Sequence, residues 1–221
     1  MIPIKDDIPT RSFPLITLLL IGVNVGVFLH EMSLSDEELE IFVRTYGLLP
    51  LDLIHFNLLN FITHMFIHGN IAHIFGNMLF LWIFGNNVED ALGKFRFLIL
   101  YFLSGFAAAI LQSVAAILMG DINIPMVGAS GAISGIIAAY GKLYPFARVY
   151  AVIPPFIFLI FALPAWFFIG YWFVIQVLSA MFIPTSLGGV AWYAHIGGFL
   201  AGWYLLDNLY PRAKKIVIYT R

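Results

Sequence analysis

Three short strings carry the residues able to do chemistry. Gly128-Ala129-Ser130-Gly131-Ala132-Ile133-Ser134-Gly135 opens an apolar run expected to be helical. A helix start presents unpaired backbone N–H groups and a partial positive charge, so Ser130 there has donors at hand for a developing oxyanion. The glycines, Gly128 among them, let another chain or a substrate backbone approach closely. Ala194-His195-Ile196-Gly197-Gly198-Phe199-Leu200-Ala201-Gly202 lies in the last apolar run. A histidine inside such a run is costly and points to function. The third string, His64 to Asn77, puts His73 and Asn77 at i,i+4 on one helix face, where both can donate hydrogen bonds, as an oxyanion hole requires.

Each string also has a plainer reading. Gly131-x-x-x-Gly135 and Gly198-x-x-x-Gly202 are small-residue patterns that let helices pack closely. If those two faces meet, His195 is carried toward Ser130. His195 alone also reads as a histidine bonded to a neighbouring helix. His64 and His68 form a second i,i+4 pair, and such pairs can bind zinc. The run holds no carboxylate and the chain no His-Glu-x-x-His, so no metal and no cofactor is expected. Asp and Glu are absent from the interiors of the fourth, fifth and sixth runs. That favours a dyad over a triad and disfavours a pair of catalytic aspartates.

The elements that position these residues belong in lipid. The chain has 221 residues, 62% hydrophobic and 10% charged, against about a quarter charged in soluble domains. No Asp, Glu, Lys or Arg lies between Arg148 and Asp207. A net charge of -1 offers no field for nucleic acid, and the absence of cysteine excludes disulfides and a thiol nucleophile. Crossing a bilayer takes about 20 apolar residues. The runs that qualify are 13–30, 64–86, 96–118, 127–141, 165–183 and 189–206, in one membrane domain over 1–221. The first is read as a retained span, because His30-Glu31-Met32 offers no small-residue cleavage site. The fourth is short and must begin below one membrane surface. Pro154, Pro155 and Pro164 break the stretch from 150, making an interfacial or re-entrant lead-in to the fifth; a separate seventh span is the alternative.

Charge settles the expected orientation. With six spans, Lys5, Arg11, Lys94, Arg96, Lys142, Arg148, Arg212, Lys214, Lys215 and Arg221 share one side, and only Arg44 takes the other. Both termini are then cytoplasmic, in a multi-pass protein of the plasma (inner) membrane. Loops 31–63, 119–126 and 184–188 face outward. The first is acidic yet holds apolar clusters, which suits a piece lying among headgroups.

The strings, in this order, resemble the rhomboid family of intramembrane serine proteases: His-x-x-x-Asn in the second span, Gly-x-Ser-Gly opening the fourth, Ala-His-x-x-Gly-x-x-x-Gly in the sixth. The resemblance runs from about residue 56 to 206. It implies an all-α bundle of six membrane helices with a short fourth. It makes Ser130 the nucleophile and His195 the general base. His73, Asn77 and the Ser130 backbone N–H would bind the oxyanion, with Gly128 among the binding positions. The implied partners are transmembrane protein substrates, cut near the outer face, and membrane lipid. Two positions depart from the family pattern. Leu59-Asn60 stands where many members carry Trp-Arg, and Ser134 where an aromatic often packs on the base. The rival readings are a catalytically silent relative that binds membrane proteins and a histidine-lined transporter or channel. The test that separates these is whether Ser130→Ala abolishes cleavage.

Overall fold

Small residues set the centre of the fold. The segment Ser130–Leu143 (SGAISGIIAAYGKL) forms a 14-residue helix, α7, buried on every side from Gly131 to Gly141. Between apolar helices in lipid, close backbone approach and van der Waals packing hold the bundle, so a helix of Gly, Ala and Ser belongs inside it. The computed structural model describes residues 1–154, 156–184 and 189–210, the side chains of Phe156 and Ile157 excepted.

Around α7 stand α1 (Leu15–Glu31), α5 (Ile71–Leu92), α6 (Lys94–Met119), α8 (Ala165–Phe182) and α9 (Trp192–Leu209). Short helices α2 (Asp36–Tyr46), α3 (Asp52–His55) and α4 (Asn60–Thr63) fill the connection from α1 to α5. The body is thus a bundle of helices. Among the described residues, α5, α6 and α8 are long and apolar enough to cross a membrane, three segments rather than the six expected. The others fall short for physical reasons. α1 has 17 residues and α7 has 14, and His195, Asp207 and Asn208 lower the hydropathy of α9. At 1.5 Å per residue α7 reaches only about 21 Å. The basic C-terminal residues Arg212, Lys214, Lys215 and Arg221, and most of loop 184–188, lie outside the described residues.

Two segments differ from expectation. The second run does not start as a helix at 64. A 3-10 turn covers His64–Phe66, Ile67 is extended, and α5 begins after Asn70, whose side chain accepts the His73 N–H at 2.9 Å and so caps the helix. The expected lead-in from 150 to 164 is extended chain rather than helix. It forms strands β2 (Arg148–Ile153) and β3 (Phe156–Pro164), which pair antiparallel with Arg148 opposite Pro164. Strand β1 (Ile2–Asp6) pairs antiparallel on the other side of β2, with Ile2 opposite Val152, giving the order β1-β2-β3. Prolines end helical structure here, and the flanking Val, Ile, Tyr and Phe residues favour strands.

Polar anchors at the sheet end fix the bundle. Asp6 accepts from the Tyr140 hydroxyl (2.6 Å) and from the Asn87 amide (2.7 Å). Burial raises the Asp6 carboxyl above its ordinary range, and the Tyr140 hydrogen bond partly opposes this. Pro14, preceding α1, has no side chain to cap it. Glu89 of α5 takes that role, accepting from the N–H groups of Ile16 and Thr17 at 3.0 and 2.8 Å and from the Thr17 hydroxyl. At the opposite end, Asp52 gathers the loop before α5. It accepts from Leu49 N (2.8 Å), Asn57 (3.3 Å) and Asn60 (3.1 Å). Asn60 therefore helps to anchor this loop. The α2 helix carries a capping box between Ser35 and Glu38, whose carboxyl is held below its usual range by hydrogen bonds from Ser35.

Candidate active site

Packing of α7 on α9 brings the side chains of Ser130 and His195 together. A Cβ on Gly198 would overlap the Gly131 carbonyl, and one on Gly202 would overlap the Gly135 backbone, so these four glycines let the helices touch backbone to backbone. One turn above that contact, Ser130 Oγ and His195 Nε2 lie 2.8 Å apart, across 65 residues of sequence. Ser130 is the first residue of α7, and the segment before it is pinned by a hydrogen bond from Gly128 N to His64 O at 2.8 Å.

The third string assembles beside them. Gly128 adopts φ +116°, a conformation open to glycine, and a Cβ there would stand 2.7 Å from His73 Nε2 and 3.7 Å from Asn77 Nδ2. His73 and Asn77 therefore face the backbone just before Ser130. A cavity of about 500 Å³ is lined by His73, Asn77, Ser130, Ser134, Trp172 and His195, and it extends to exposed Asn70 and Ala72 at the start of α5. All four polar residues expected at the site share this one cavity.

The i,i+4 pairing of His64 with His68 does not form, because the chain between them leaves the helix at Ile67. His64 Nδ1 turns to the Asn60 carbonyl at 2.8 Å. His68 Nε2 meets Asn77 Nδ2 at 2.9 Å, and its backbone N–H donates to the buried Glu31 carboxyl at 3.2 Å. Ser134 does not reach the imidazole. Its hydroxyl donates to the Ser130 carbonyl at 2.7 Å, within the same helix.

Other side chains near His195 are absent from the motif reading. Trp172 of α8 and Trp192 of α9 flank its ring, with centroids at 5.8 and 6.1 Å. Gln176 Oε1 lies 2.6 Å from His195 Nδ1, while Gln176 Nε2 donates to the Trp172 carbonyl at 3.1 Å. Gln112 of α6 accepts from Ala194 N at 3.2 Å, satisfying an unpaired donor in the first turn of α9. A lone amide in an apolar run needs a partner when buried, and that was the sequence signal for Gln176.

Comparison with known proteins bears on this arrangement. A model of the rhomboid domain matches residues 55–212. The chain belongs to the rhomboid family. Rhomboid protein 1, mitochondrial, from Saccharomyces cerevisiae is 29% identical over 198 residues, covering 84% of this chain and 52% of the relative. Presenilin-associated rhomboid-like protein A, mitochondrial, from Danio rerio is 31% identical over 144 residues, 63% of this chain and 35% of the relative. RHOMBOID-like protein 4 from Arabidopsis thaliana is 33% identical over 144 residues, 63% of this chain and 31% of the relative. The chain spans about half the length, or less, of these curated rhomboid relatives. The rhomboid match covers α5 to α9, the helices that build the cavity, and leaves β1, α1 and α2 outside it.

Proposed function

We propose that this chain is an intramembrane serine endopeptidase that cleaves transmembrane proteins near the outer membrane face. The observation that carries the reading is the 2.8 Å contact between Ser130 Oγ and His195 Nε2 beside a cavity that also receives His73 and Asn77. Membership of the rhomboid family supports protease chemistry in general.

The reaction follows from the atoms present. The Ser130 hydroxyl attacks the scissile carbonyl carbon and passes its proton to Nε2 of neutral His195. Negative charge gathers on the carbonyl oxygen, which takes hydrogen bonds from His73, Asn77 and the Ser130 backbone N–H. The C–N bond breaks, and the imidazolium gives its proton to the leaving nitrogen. Water then attacks the acyl ester, again losing its proton to His195, and releases the carboxylate product. No cofactor or metal enters these steps. The cavity reaches exposed residues at the start of α5, which supplies the water.

The single membrane domain is read with six spans: α1, α5, α6, α7, α8 and α9. Both termini lie on the side rich in Lys and Arg. The ion pair from Lys142 to Asp207 (2.8 Å) supports this by joining the last turns of α7 and α9 at one end. α7 starts below the opposite surface, so the serine is within the membrane yet wet. A substrate helix must unwind to offer a carbonyl, which favours cleavage near small or helix-breaking residues.

The test is a cleavage assay with a generic single-span substrate in detergent, run beside fluorophosphonate labelling. Wild type should cut and label, and Ser130→Ala should do neither. Equal labelling of both proteins refutes Ser130 as nucleophile, and ion flux in proteoliposomes without cleavage favours a channel.

A further inference from the structure

A peptide carbonyl in a helix can only accept hydrogen bonds. The Gln176 amide nitrogen faces such a carbonyl, that of Trp172, at 3.1 Å. This orients the amide, so its oxygen is the atom 2.6 Å from His195 Nδ1. An amide oxygen also only accepts, so Nδ1 must carry the proton. A neutral imidazole has one N–H, which leaves Nε2 bare toward the Ser130 hydroxyl, the form a general base needs. Each link is forced by the one before it, starting from a main-chain carbonyl of α8.

We infer that Gln176 is a positioning residue that fixes the tautomer and ring orientation of His195, as the third group of the site. The inference rests on the Ser130–His195 reading above. Gln176 is 4% exposed and lies behind the imidazole rather than on the cavity wall, so it does not touch substrate. Trp172, one turn earlier on the same face of α8, flanks the ring with centroids 5.8 Å apart. Together they perform from α8 what an acidic third member and a stacked aromatic would do elsewhere, without a buried charge. Of the other helices around His195, α6 presents neutral Gln112 and α7 neutral Ser130. The titratable groups across the cavity are His73 and Asp121.

The experiment measures kcat and KM for a single-span substrate as a function of pH, using the full chain in detergent. Ser130→Ala comes first, because residual cleavage there overturns the dyad and this inference with it. With the dyad intact, Gln176→Leu should lower kcat about ten-fold or more while KM holds, since substrate contacts are untouched. Gln176→Glu restores an acceptor and adds a negative charge beside Nδ1. It should recover the rate and move the acid limb of kcat upward by about one pH unit. Wild-type kcat and an unmoved limb in Gln176→Leu overturn the inference. So does equal loss in both variants with an unmoved limb, which marks packing alone. If Gln176→Leu does not fold, the limb of Gln176→Glu decides: a shift supports the inference and no shift overturns it.

Discussion

Gly128 holds its φ of +116° directly against the His73 ring, with room for a hydrogen and not for a methyl group. The backbone that leads into Ser130 and the first helical turn of α5 are therefore fitted to each other. In the proposed reaction this contact sets where the carbonyl oxygen can rest. Four expectations follow from such contacts.

Gly128→Ala should displace His73 or pull the 128–130 backbone away from it. Loss of one oxyanion donor slows other serine hydrolases by about a hundred-fold or more, and a similar fall in kcat is expected here. Cleavage assays on the purified variant check this, and unchanged kcat would mean that the fit between Gly128 and His73 is idle.

Asn77→Ala should also slow cleavage by about a hundred-fold or more, with substrate binding retained. His68→Ala should cost less, because it removes the partner of Asn77 and not the donor. Comparing the kcat values of the two variants separates a group that touches the oxyanion from one that steers it. A reversed order would assign the direct contact to His68.

Gly202→Ala should force α9 off α7, since its Cβ meets the Gly135 backbone. Overpacking of this kind costs about 1–3 kcal/mol, read as a lower unfolding temperature in detergent. Activity should fall further than stability, because a misplacement of about 1 Å between reacting groups can cost about a hundred-fold. Gly26→Ala is the control. Nothing lies within 4 Å of a Cβ at Gly26, and that variant should match wild type or exceed it slightly.

Asp6→Asn should change how stability depends on pH. The folded Asp6 carboxyl titrates above its ordinary value of 3.8, so the unfolded chain ionises first as pH rises. Its contribution is thus complete below about pH 3.8 and declines as pH climbs through the folded value. Asparagine keeps an acceptor for Tyr140 and Asn87 without ionising. The melting temperature of the variant relative to wild type should therefore increase from pH 4 to pH 7. A constant difference across that range would mean that Asp6 ionises equally in both states.

Much of the site is readable along the chain because its parts are local patterns. Ser130 at a glycine-rich helix start, His195 before a Gly-x-x-x-Gly face, and His73 with Asn77 one turn apart are each visible within ten residues. The Gly131, Gly135, Gly198 and Gly202 stripes even indicate which faces should touch, since small residues permit a backbone approach that larger ones forbid. The capping box at Ser35 and Glu38 is local in the same way. His64 and His68 show the limit of such reasoning. Their spacing implies one helix face only if a helix joins them, and the extended Ile67 removes that premise.

What the order of residues determined alone is the lipid-compatible composition, the glycine faces of α7 and α9, and the side chains proposed to react, because each depends on a residue and its near neighbours. Three-dimensional packing decided the rest. It paired Ile2–Asp6 with a strand some 145 residues on, put the Glu89 carboxylate under the first turn of α1, and turned Gln176 out of an apolar helix toward His195. Those contacts depend on the relative rotation of separate helices and strands. Rotation is set by the fit of all their surfaces together, and no single stretch of sequence carries it.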